Sequence, residues 1–112
     1  MTEKAFQELL LKAVDSTLAS LGNSARQSVY YHLKKKFDIS KDEIPSRIED
    51  FDHGLEQIFG VGTRFLEVLM MKKLYEEMGS KTKILRLDQR KEFKFVDYIK
   101  AAQLSYSQMK KT

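Results

Sequence analysis

The chain has 112 residues, 42% of them hydrophobic and 32% charged, which suits one ordinary folded domain and argues against bulk disorder. It contains no cysteine, so disulfides, thiolate metal sites and cysteine nucleophiles are excluded. The net charge of +4 is unevenly placed: residues 1–80 hold 11 Lys/Arg against 13 Asp/Glu, whereas residues 81–112 hold nine against three. Such a basic tail points to nucleic acid, an acidic partner or an anionic surface, and equally to a merely solubilising role.

The opening residues, MTEKAFQELLLK, carry Glu3, Lys4 and Glu8 and lack a long apolar stretch, so no secretory signal is expected. The apolar runs, such as Leu9 to Leu11 and Val68 to Met71, are far too short for a membrane span. The expectation is a soluble, cytoplasmic protein.

A first helix is predicted from about Glu3 to Leu21, because Phe6, Leu9, Leu10, Ala13, Val14, Leu18 and Leu21 recur on one face. Gly22 stands where a left-handed terminal residue is expected. Ser24 and Gln27 have capping-box spacing and open a second helix to about Phe37, with Ala25, Val29, Leu33 and Phe37 in one stripe. Ser40 and Glu43 form another capping box, but Pro45 disfavours helical geometry at Ile44, so only a short turn is expected there. Ser46 and Glu49 repeat the pattern and introduce a third helix from about Arg47 to Phe59. Gly54 weakens that helix and is read as a place where a neighbour approaches closely.

After Gly60 and Gly62 a fourth helix is predicted from Thr63 to Met78, closed by Gly79. It is the most apolar segment, which places it centrally in a core or against a second copy of itself. In the tail, Ile84, Leu85 and Leu87 suggest a short extended piece. Asp88 can cap a last helix from about Gln89 to Lys110, with Phe95, Ile99, Ala102 and Tyr106 on one face. The predicted fold is all-α: a compact bundle of four main helices in residues 1–79 and a basic, helical C-terminal extension in residues 80–112.

The string SVYYHLKKKFDISKDEIPSRIEDFDHGLEQIFGVG, followed by FLEVLMMKKLYEEMG, resembles a small archaeal helical domain family, the Nitrosopumilus output domain. The shared features are Leu21 and Gly22, Tyr30 to Leu33, Glu43 to Pro45, Ile58 to Gly60 with Gly62, Glu67, Leu74 and Tyr75, and Gly79. They cover roughly residues 5–80 and leave out the tail. The resemblance implies an all-helical module, sometimes attached to sensory domains and then taken to relay their signal, with no catalytic residues to carry over.

Several motifs carry chemistry in principle. Phe59, Gly60, Val61, Gly62 and Leu69 fit a helix-hairpin-helix pattern, in which glycines expose backbone N–H groups to a DNA phosphate and Arg64 adds charge. Leu66 occupies the slot where a small residue normally lets the helices cross. Glu49, Asp50, Asp52 and Glu56 would repel DNA, so a plain helix corner is the favoured reading. Glu49, Asp52, His53 and Glu56 have helical ligand spacing, but no second cluster completes a metal site and a solvated acidic face accounts for them. The only histidines are His32 and His53, and no nucleophile motif or phosphate cradle is present. No enzyme, cofactor or metal is therefore expected. Lys34, Lys35 and Lys36 suit the negative pole of a helix C-terminus.

The expected function is a non-catalytic protein-interaction or signal-output module, with Phe65, Leu69, Met70, Met71, Phe95, Ile99 and Tyr106 as contact residues and a second copy of the chain among the candidate partners. The alternative is nucleic-acid binding through the corner, with Arg64, and the basic residues Lys81, Lys83, Arg86, Arg90, Lys91 and Lys94, where cationic and aromatic side chains interleave.

Overall fold

The computed structural model describes residues 2–79 and 94–111. Five α-helices follow one another: α1 (Thr2–Ala19), α2 (Asn23–Phe37), α3 (Ile48–Phe59), α4 (Thr63–Glu77) and α5 (Phe95–Lys111). Short 3-10 turns lie at Lys41–Glu43, Pro45–Arg47 and Gly60–Gly62. No strand occurs among the described residues. The expected extended piece at Ile84 to Leu87 and the Asp88 cap fall outside them.

α1 buries the predicted stripe of Phe6, Leu10, Ala13, Val14 and Leu18, and Thr17 joins it. The buried Thr17 hydroxyl is satisfied within its own helix by donating to the Ala13 carbonyl at 2.9 Å. Gly22 has φ of 108°, a region costly for any residue with a Cβ, and this reverses the chain into α2. That turn also displaces the expected cap. α2 begins two residues earlier than the Ser24 box requires, with Gly22 in the cap position and no side-chain cap. α2 ends at Asp38 in the left-handed region, where the N–H groups of Asp38 and Ile39 take the carbonyls of Lys34 and Leu33 and turn Ile39 into the core.

The link to α3 realises one capping prediction and departs from another. The Ser40 N–H donates to the Glu43 carboxylate at 2.8 Å, the Glu43 half of the expected box. Ser46 instead donates to the Glu43 carbonyl at 3.0 Å, because Pro45 opens a separate 3-10 turn that carries Ser46 away from the start of α3. Arg47 takes the cap position of α3, and its guanidinium reaches back to the carbonyls of Asp38 (2.6 Å) and Phe37 (3.3 Å) at the end of α2. Asp15 fastens α1 to this region. It accepts from the Tyr30 hydroxyl at 2.8 Å, from Arg26 at 3.1 Å and from Lys41 at 3.2 Å.

α4 is the central helix. Its broadest packing is against α1, and it also touches α3 and α5. Met70, Met71 and Leu74 are completely buried there. α3 crosses α2 at Gly54, where a Cβ would stand 2.8 Å from Leu33 Cδ2, so the missing side chain is what permits the expected close approach. α5 packs on α1, α3 and α4 and adds Phe95, Tyr98, Ile99, Ala102 and Tyr106 to the same core. The Tyr106 ring lies 6.0 Å from Phe6, and Phe95 lies 6.4 Å from Phe51. The helical part of the C-terminal extension is thus a layer of the core.

Candidate functional site at the glycine corner

The turn between α3 and α4 is set by Gly60, whose φ of 60° and ψ of −130° suit glycine alone. Its N–H still closes α3 on the Glu56 carbonyl, and the Thr63 N–H bonds back to the Gly60 carbonyl. The buried Thr63 hydroxyl donates to the Leu55 carbonyl at 3.0 Å and pins the first residue of α4 onto α3. Leu66, in the slot that a phosphate-gripping hairpin keeps small, is buried at this junction.

Outside the corner, Val61 is fully exposed and Phe65, one helical turn on, is 68% exposed. Leu69, a further turn on, is half-buried. These three form an apolar stripe on the outer side of a helix whose inner side is already filled.

Beside the stripe lies a groove of about 460 Å³ between α3, the start of α4 and the start of α5. Carboxylates of Glu49, Asp52 and Glu56 line it from α3, and Arg64 and Glu67 from α4. Glu67 is 6% exposed, and its Oε2 is sealed from solvent without a hydrogen bond. At Oε2 no donor offsets a negative charge. Burial first, and the adjacent Asp52 carboxylate second, push the Glu67 carboxyl up to about 9, with Glu56 adding to the rise and Arg64 opposing it. Burial and the neighbouring acids Asp52 and Glu56 thus favour the neutral form of Glu67.

The other predicted site residues are distributed as follows. Arg64 is exposed and lines the groove, as does Lys94 from the α5 side. Lys81, Lys83, Arg86, Arg90 and Lys91 lie outside the described residues. Of the expected contact residues, Phe65 stands exposed and Leu69 partly so. Met70, Met71, Phe95, Ile99 and Tyr106 are all buried within the chain's own core, where α1, α4 and α5 pack on one another. His53 does not join the carboxylates of its helix: its ring meets Phe37 edge-on at 6.3 Å. His32 sits against Tyr31, with centroids 5.6 Å apart. No group of three or more His, Cys, Asp or Glu among the described residues is arranged to hold a metal ion, and no described helix is long and apolar enough to cross a membrane.

Glu67 was not among the predicted site residues, although its signal is present in the sequence. Thr63, Leu66, Met70, Met71 and Leu74 surround it at helical spacing, so an acid falls on the buried arc of an apolar helix.

No family model, curated protein or solved structure matches this chain.

Proposed function

We propose that this chain is a non-catalytic protein-interaction module, of the kind that passes a signal to a partner, whose contact surface is the Val61, Phe65 and Leu69 stripe. The observation that carries the reading is the 68% exposure of Phe65 on a helix whose opposite side is complete. A large aromatic left in water beside a fully exposed valine costs solubility unless something covers it. Aromatic side chains of this kind serve as anchors at protein interfaces. A phosphate grip at Gly60, Gly62 and Arg64 is the rival, and Glu49, Asp52 and Glu56 on the same groove oppose it electrostatically.

The test is site-specific photo-crosslinking in the native cell, with benzoylphenylalanine at position 65 and, as a control, at the exposed position 8. Protein adducts at 65 and none at 8 are expected, including adducts to a second copy if the module pairs with itself. Equal labelling at both positions, or adducts to nucleic acid, would overturn the reading.

A further inference from the structure

The outer face of α4 has the spacing of a helix pair. The turn at Gly60–Gly62 runs directly into α4, so Val61, Phe65, Val68, Lys72 and Tyr75 follow at intervals of four, three, four and three. That is the seam period of two helices packed along their length. Val61, Phe65 and Lys72 are exposed, whereas Val68, Tyr75 and the neighbouring Leu69 are half-buried. The opposite arc, with Leu66, Met70, Met71 and Leu74, is already filled by the core.

The charges at the ends of α4 give the seam a direction. α1, α3 and α5 each carry an acid in the first turn, at Glu3, Glu49 and Asp97, and α2 carries lysines in its last turn. Those placements suit a helix dipole. α4 does the reverse: Arg64 and no acid stand in its first turn, and Glu76 and Glu77 with no base in its last. Glu77 is engaged by Lys12 at 3.3 Å, and the exposed Glu76 marks the outer end. A helix laid antiparallel on this face relieves both ends if it carries a cation at its own start and an acid at its own finish. α4 is itself such a helix.

We propose that a second copy of this chain docks on the seam, with α4 antiparallel to α4 about a two-fold axis level with Leu69 and Met70. The assignment rests on the interaction-module reading above and names its partner. In this register Phe65 meets Tyr75 of the copy, Val68 meets the aliphatic stem of Lys72, and Arg64 comes level with Glu76. The two-fold makes every contact occur twice. A parallel copy would instead set Arg64 beside Arg64 and Lys72 beside Lys72. The seam of a single helix buries less than the roughly 1,200 Å² of a stable interface, so the pair is weak, with Kd on the order of 10 µM.

The experiment is sedimentation velocity of the full chain from about 1 µM to about 1 mM, with far-UV circular dichroism to check that each variant is folded. The mass should rise from one chain to two across this range, and Phe65→Asp should hold it at one. Arg64→Glu and Glu76→Arg should each weaken pairing about threefold or more, and the double variant should restore it to within about twofold. Charges acting only within their own helix would not weaken pairing in Glu76→Arg, which improves the match to the dipole. A monomer throughout the range, pairing unchanged in Phe65→Asp, or a double variant no tighter than the singles would overturn the proposal. A monomer that still gives protein adducts at position 65 would keep the contact surface and remove the copy as its occupant. A pair lost in Phe65→Asp, with equal labelling at positions 8 and 65 in the cell, would keep the dimer and remove the module reading. Pairing that appears only when Ile84, Leu85 and Leu87 are replaced by serine would give the seam to the chain's own segment and overturn the assignment to a copy.

Discussion

Replacing Glu67 by glutamine should stabilise the protein, and by an amount that depends on pH. Glu67 is raised from an ordinary 4.5 to about 9. Between those values the folded state keeps a proton that the unfolded state releases, so the native state binds more protons and loses stability as pH rises. The Glu67 contribution is intact below 4.5, declines through neutral pH and levels off above about 9. At pH 7 the gap from the unfolded value is about 2.5 pH units, at about 1.4 kcal/mol each, or about 3 kcal/mol. Glutamine has no proton to lose, nearly the same shape and an amide N–H for Asp52. The variant should therefore match wild type to within about 1 kcal/mol at pH 5 and exceed it by about 3 kcal/mol at pH 7. The assay is urea unfolding followed by far-UV circular dichroism at pH 5, 6, 7 and 8, with slopes checked for equality. Every titrating group outside this cluster is common to both proteins, so the difference reports Glu67 together with its acid neighbours Asp52 and Glu56. A difference that stays flat across this range, or wild type becoming the more stable as pH rises, would refute the reasoning.

Asp15 behaves in the opposite sense. Burial raises its carboxyl, but hydrogen bonds from Tyr30, Lys41 and Arg26 outweigh that and hold it below 3.8. The stability it contributes is present above the ordinary carboxylate range and is lost as pH falls through the folded value. Asp15→Asn should cost about 1–2 kcal/mol at pH 7, and its deficit should shrink in acid below about pH 4, read from the same urea curves. Gly54→Ala should be destabilising by about 1 kcal/mol, because the new methyl presses on the buried Leu33 and outweighs a helix-propensity gain of about 1 kcal/mol. Stabilisation of Gly54→Ala by the full propensity term would show that α2 and α3 have room to spare.

Much of the fold is legible in the apolar spacing. The buried stripe of α1, the close approach at Gly54 and the Glu43 contact to Ser40 follow from residue type and interval alone. The caps are less legible, since a cap depends on backbone angles that the sequence does not display. Ser24 loses its role because Gly22 already turns the chain, and Ser46 because Pro45 starts a turn of its own. The site was half-visible. Composition marks Phe65 and the corner, whereas the excess of apolar residues on α4 is equally compatible with a partner or with coverage by its own chain. Met70 and Met71 take the second course, buried in the core that α4 shares with α1, α3 and α5. Periodicity places Glu67 on the inner arc, but its pairing with Asp52 is a property of how two helices cross.

That crossing is governed by one dihedral pair. The backbone at Gly60 decides where α4 starts relative to α3, and hence how near the two acids stand. A side chain at position 60 would strain the turn, and relief of that strain would move the start of α4 against α3. The corner is therefore an alignment device as well as a bend: a single residue without a Cβ fixes how two helices meet, and with it the shape of the groove between them.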